Sequence, residues 1–149
     1  MMLTDSLTRL FFRDLDALKD EIKAYADEST MWEVTKDISN SAGNLCLHLI
    51  GNLNHFIGHD LGNTDYVRQR DLEFSQKNVP RDQMIQMIDA LKPIIENTLN
   101  KLTSEDLNKE FKRRVFEAPM TTEYFLIHLS MHLAYHLGQI NYHRRLLDR

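Results

Sequence analysis

The sequence predicts an all-α protein, a bundle of four helices. Three observations carry that expectation. Glycine and proline are scarce, five and three in 149 residues, too few for the turn-rich chain of a sandwich or barrel. Leu, Met, Lys, Gln and Glu, which lose little rotamer freedom in a helix, are plentiful. Four stretches of roughly 20 residues repeat their apolar side chains at helical spacing.

The first helix covers about residues 4–25. Leu7, Phe11, Leu15, Leu18 and Ile22 fall on one face, while Arg13, Asp14, Asp16, Lys19, Asp20, Glu21 and Lys23 fill the other. That is an amphipathic helix with one wet side. Residues 26–38 are polar around Met31 and Trp32 and read as a connection with one buried anchor. The second helix starts near residues 39–41, where Ser and Asn can cap free N–H groups. It runs to about Leu61 and stops at Gly62-Asn63, with Leu45, Leu49, Leu53, Phe56 and Ile57 as its apolar residues. Residues 63–79 then give about seventeen polar positions without a period; connections of that length cover functional sites or are disordered.

The third helix begins at Asn78-Val79-Pro80, with proline suited to a first turn. Met84, Met87, Ile88, Leu91, Ile94, Ile95 and Leu102 carry its apolar pattern, and Pro93 inside that pattern predicts a kink. Thr103-Ser104-Glu105-Asp106 caps a short helical turn. Residues 112–120 have mixed charge, end in Ala118-Pro119, and read as a loop or small ribbon. The last helix opens at Thr121-Thr122 and continues to about Leu147, with Leu126, Leu129, Leu133, Leu137 and Ile140 as its stripe.

Length and charge narrow the class. One domain, residues 1–149, is expected, since domains cluster near ~100–150 residues. The 18 basic and 22 acidic residues leave a net charge of −4, which argues against nucleic acid as a partner. Cys46 is the single cysteine, so an intrachain disulfide is impossible and a reducing compartment is expected. No stretch approaches the ~18 apolar residues of a membrane span, and the N-terminus lacks the pattern of a signal peptide. A soluble cytoplasmic protein with no membrane partner is the expectation.

The chemistry lies in the histidines. His48, His55 and His59 sit on the second helix and His128, His132, His136 and His143 on the fourth; the other two helices have none. His132 and His136, at i and i+4, project from one helical face, a metal-chelating geometry. A third imidazole from a neighbouring helix would complete a three-histidine site with an open coordination position, as catalytic sites have. His48 is a candidate for it, and His55 and His128 are outer partners or alternative ligands that spacing does not separate. His59 and His143 read as surface or hydrogen-bonded core residues. Zn²⁺, Ni²⁺ and Fe²⁺ all accept imidazole.

Familiar alternatives are absent. No Glu follows the first His of either pair, so the zinc-protease pattern fails, and there is no Glu-x-x-His, Walker loop, dinucleotide fingerprint or Gly-x-Ser-x-Gly. Cys46, about 200° around the helix from His48, reads as a small buried hydrophobe. Gly51 and Gly58 share a stripe of the second helix where another helix, of this chain or a second subunit, can approach closely.

Three features in order make the sequence resemble the DinB/YfiT-like superfamily of small bacterial four-helix proteins. Trp32 precedes the second helix in Met31-Trp32-Glu33. The second helix carries Asn40-Ser41-Ala42-Gly43-Asn44-Leu45-Cys46-Leu47-His48-Leu49-Ile50-Gly51-Asn52-Leu53, and the last carries His132-Leu133-Ala134-Tyr135-His136-Leu137-Gly138-Gln139-Ile140. The His-x-x-x-His-x-Gly-Gln ending is the most specific part. The resemblance implies a four-helix bundle with crossover connections rather than an up-down meander, commonly a homodimer. It also implies a divalent metal, Zn, Ni or Fe, held by His48, His132 and His136. Members of known activity are metal-dependent transferases using low-molecular-weight thiols, and some relatives are isomerases or hydrolases.

Two functions of different class follow from these residues. One is an enzyme in which the metal activates a thiol or water against a small-molecule substrate, with Gln139 and Asn52 as orienting groups and residues 63–79 over the pocket. The other is a non-catalytic dimeric module that binds a metal or small molecule.

Overall fold

All twelve residues of the helix Ala42–Leu53 are buried, so the rest of the chain surrounds it. The computed structural model describes residues 2–149. Its elements are α1 (Leu3–Ala24), a 3-10 turn (Glu28–Trp32), α2 (Ala42–Leu53) running directly into a π-helical stretch (Asn54–Leu61), α3 (Arg70–Ser75), α4 (Arg81–Leu99), α5 (Ser104–Asn108) and α6 (Thr122–Leu147). Among the described residues β pairing is limited to two isolated bridges, Thr35–Ile38 and Glu110–Thr121. The protein is all-helical, as its composition predicts, and the expected loop or ribbon after residue 112 is a loop closed at its base by the second bridge.

Side-chain oxygens start the helices. Ser41 Oγ accepts from Asn44 N at 3.1 Å, and Thr121 Oγ1 from Tyr124 N at 3.1 Å. Thr103 Oγ1 accepts from Asp106 N at 3.1 Å while the Asp106 carboxylate accepts from Thr103 N at 2.9 Å. Each such cap contributes about 1 kcal/mol. Pro80 stands at the start of α4, just outside its first turn, and α4 continues through Pro93. At the end of the π-helical stretch the positive φ falls on Asn63, at 57°. Gly62 is instead needed for space, because a Cβ there would lie 2.4 Å from Thr98 Oγ1 of α4.

Packing sets the order of the helices. α1 buries Leu7, Phe11, Leu15, Leu18 and Ile22 and contacts α4 and α6, while α2 contacts α3, α4 and α6. Around the core the sequence of neighbours is therefore α1, α4, α2, α6, with α1 and α2 on a diagonal. Lys19 Nζ meets Asp89 at 2.7 Å, Lys92 pairs with Asp16, and Arg144 Nε reaches Glu21 Oε2 at 2.8 Å. Exposed pairs contribute only ~0.2–1 kcal/mol, whereas each buried Leu, Ile or Phe contributes about 1.5–3 kcal/mol. The apolar faces therefore decide the arrangement.

The 3-10 turn works as the anchor expected around Trp32. Thr30, Met31 and Trp32 are buried, and Trp32 lies so close to α2 that a Cβ on Gly43 would stand 2.6 Å from its ring. Nearby, His143 Nε2 donates to the Glu33 carbonyl at 2.9 Å, and its Nδ1 accepts from the Tyr25 hydroxyl at 2.7 Å. A carbonyl can only accept, so this pair fixes the tautomer. His143 is the hydrogen-bonded core residue that the sequence suggests.

Candidate metal centre

His48 lies at the middle of α2, and His132 and His136 lie one turn apart on the face of α6 packed against it. Their nitrogens converge. His132 Nε2 is 3.3 Å from His48 Nε2 and 3.1 Å from His136 Nε2, and one nitrogen of each ring lies within 4.8 Å of the others. The three rings stand nearly perpendicular, at 78°, 90° and 89° pairwise. Nitrogens bound to one tetrahedral ion at ~2.0–2.1 Å would be about 3.3 Å apart, so the His48–His132 and His132–His136 separations already match chelation.

Two of the rings are anchored from behind. His48 Nδ1 lies 3.0 Å from Glu73 Oε1, and His136 Nδ1 lies 2.7 Å from Gln139 Oε1. Acceptors at Nδ1 place the ring proton there and leave Nε2 with a free lone pair. The lone pairs of His48 and His136 then face His132 Nε2, while the buried Nδ1 of His132 has no partner among the described residues. Burial first, then the neighbouring His136 and His48, push the His132 imidazole down to about 4. Burial also lowers His136, outweighing the opposing hydrogen bond from Gln139. Neutral imidazole is the form a metal needs.

Glu73 is the residue that sequence reading missed. It sits on α3, inside the stretch expected to be an aperiodic connection, and that segment packs on His48 from the Nδ1 side. Arg68 Nε donates to Glu73 Oε2 at 2.9 Å and its Nη2 to Oε1 at 3.0 Å. Burial alone would raise the Glu73 carboxyl, but the bonds from His48 and Arg68 outweigh it and hold it below its ordinary value. Phe74 covers the His48 ring with centroids 4.9 Å apart. The one sequence signal for this strap is Gly51, whose missing Cβ would stand 1.9 Å from Glu73 Oε2. Gly58 meets Ile94 of α4, so both glycines admit groups of this same chain.

The remaining candidates sit elsewhere. His55 lies 4.0 Å from the buried Asp60 carboxylate, which Arg113 Nε closes at 2.5 Å. His128 stacks behind His132 at 6.2 Å and packs on Phe116 and Phe125. His59 Nδ1 donates to the Thr64 carbonyl at 2.7 Å. None of these three belongs to the converging set. Gln139 orients His136 as expected, whereas Asn52 is buried with its Oδ1 unpartnered and touches no ring by a hydrogen bond. Cys46 is fully buried and burial pushes its thiol up to about 12, in keeping with a small core hydrophobe.

Beside His136 opens a cleft of about 390 Å³, walled by Ile38, Leu45, Tyr142 and Leu146 with Gln139 and Asn40 as polar groups. No helix among the described residues is long and apolar enough to cross a membrane.

Fold and site together define an all-helical protein with three converging imidazoles between two of its helices. The chain belongs to the DUF1572 family, described as a protein of unknown function, whose family model matches residues 5–149. Among solved structures, one titled as the conserved protein of locus from Enterococcus faecalis is similar in fold. It superposes with a TM-score of 0.76 over 99% of this chain and 98% of that one, at 16% identity. No curated protein matches the chain.

Proposed function

We propose that this chain is a metal-dependent enzyme of the DinB/YfiT-like superfamily, in which His48, His132 and His136 hold a divalent Zn, Ni or Fe ion. One observation carries the reading: three Nε2 atoms converge at 3.1 and 3.3 Å while acceptors on His48 and His136 hold the ring protons away. A divalent ion on these three imidazoles would supply Lewis acidity, lowering the pKa of a thiol or water. The chain's own part is to present the lone pairs, fix two rings through Glu73 and Gln139, and seat the substrate in the cleft beside His136. Its mixed apolar and polar walls suit a small organic molecule, and thiol S-transfer from a low-molecular-weight thiol is the reaction we assign, ahead of hydrolysis.

The neighbour order α1, α4, α2, α6 supports the four-helix type with crossover connections, since an up-down meander would place α1 beside α2. A homodimer is proposed on the solvent face of α6. There Tyr124, Ile127, Met131 and Tyr135 form a helical stripe, 38 to 65% exposed, and Gly138 beside it has nothing near its missing Cβ. The net charge of −4 and the lone buried cysteine support a cytoplasmic protein that binds no nucleic acid.

The test is thiol consumption with an electrophilic substrate panel, comparing metal-loaded protein, chelator-treated protein and His136→Ala. Turnover that needs both the metal and His136 supports the reading. Metal binding without turnover across the panel would contradict the transferase assignment.

A further inference from the structure

We infer that Glu73 is the positioning residue of the site: it holds His48 as the Nδ1–H tautomer, so that the Nε2 lone pair faces His132 and His136. The inference rests on the metal reading above and adds what prepares one ligand for it. An imidazole free in solution favours the opposite tautomer, with its proton on Nε2. In this site such a proton would point at His132 Nε2, 3.3 Å away, and occupy the space a cation needs. Something must reverse the preference, and a carboxylate, which only accepts, does so at Nδ1.

Four features show that Glu73 is placed for this. Arg68 grips both carboxylate oxygens, at 2.9 and 3.0 Å, which fixes the plane of the group and keeps it ionised. Gly51 leaves the hollow that Oε2 fills, since any Cβ there would lie 1.9 Å from it. Asn44 Nδ2 donates to the carbonyls of Glu73 and Gln76 at 3.0 and 2.8 Å, fastening α3 to the start of α2. Phe74, the next residue, lies over the His48 ring. The strap thus reaches His48 with both a hydrogen-bond acceptor and a ring.

The experiment uses Glu73→Ala and Glu73→Gln beside the wild type. Nitrogen NMR on metal-free protein reports the His48 tautomer, and Zn²⁺ titration reports affinity. The wild type is expected to show Nδ1–H. Glu73→Ala is expected to move His48 toward Nε2–H and to weaken Zn²⁺ binding about 10- to 100-fold. In Glu73→Gln the amide oxygen can take the Oε1 position, so the tautomer and most of the affinity are retained. A merely structural ion pair with Arg68 would be lost equally in both variants. Should Glu73→Ala not fold, Gly51→Ala displaces the carboxylate without deleting a polar group and is expected to shift the tautomer likewise.

A wild-type His48 carrying its proton on Nε2, or a Gln variant as impaired as the Ala variant, overturns the inference. Retention of Nδ1–H in the displaced-carboxylate variants overturns it too. If the wild type binds no Zn²⁺ while the tautomer responds as described, the metal reading falls and the positioning role of Glu73 stands.

Discussion

Gln139 Oε1 accepts from His136 Nδ1 at 2.7 Å, one turn further along α6. The amide is itself oriented, because Gln139 Nε2 donates to the Tyr135 hydroxyl at 3.3 Å. The oxygen therefore faces the imidazole and the nitrogen faces away. Gln139→Ala is expected to weaken Zn²⁺ binding at least tenfold, and Gln139→Glu to retain or strengthen it, because a carboxylate is the better acceptor. Calorimetric titration checks the pair; equal affinities for all three proteins would contradict this role.

Stability should fall with acid in a defined window. His132 is held down to about 4 in the fold, against ~6.5 in an unfolded chain. Below pH 6.5 the unfolded chain takes up the proton first, so the contribution of neutral His132 is complete above that pH and lost as pH falls towards 4. Glu73, held below its ordinary value by His48 and Arg68 despite burial, loses its contribution in the same direction at lower pH. Urea midpoints of the metal-free protein should decline between pH 6.5 and 4.5, less steeply in His132→Ala. A flat profile would contradict the assigned environment.

The Cys46 thiol should be inert. It is fully buried and its pKa is pushed up to about 12 by burial alone, so the reactive thiolate is negligible at neutral pH. A disulfide reagent at pH 8 should label the native protein only at its unfolding rate and label it at once in denaturant. Rapid labelling of the folded protein would place the thiol at the surface.

How much of this was legible in the sequence differs by element. α1 and α6 follow directly from apolar spacing, and Ser41, Thr103 and Thr121 cap where their side chains indicate. The histidine trio was legible because His132 and His136 share a helix face and His48 sits on the helix packed against it. The π-helical stretch Asn54–Leu61 has no sequence signature, since its apolar residues continue the α pattern. α3 is six residues long, too short to show a period, and its contribution to the site is polar. Glu73 and Arg68 therefore looked like loop residues, and only the glycine at position 51 hinted that something came close.

The exposed stripe on α6 gives a test of assembly. Tyr135 and Met131 are each 65% exposed on that face, which the proposed homodimer would bury. Met131→Lys is expected to convert a dimer in sedimentation analysis into a monomer with unchanged helicity. A wild type that sediments as a monomer at tens of micromolar, an order-of-magnitude concentration at which modest interfaces assemble, would contradict the dimer.

His48, His132 and His136 are proposed to hold a divalent metal, and metal content is the decisive readout. Tag-free protein purified without chelators, and again after incubation with Zn²⁺, Ni²⁺ or Fe²⁺, would be measured by elemental analysis beside a His132→Ala/His136→Ala variant. Near-stoichiometric metal in the wild type, absent from the variant, is the expected result. No metal under any of these conditions, or the same metal in both proteins, would contradict the account.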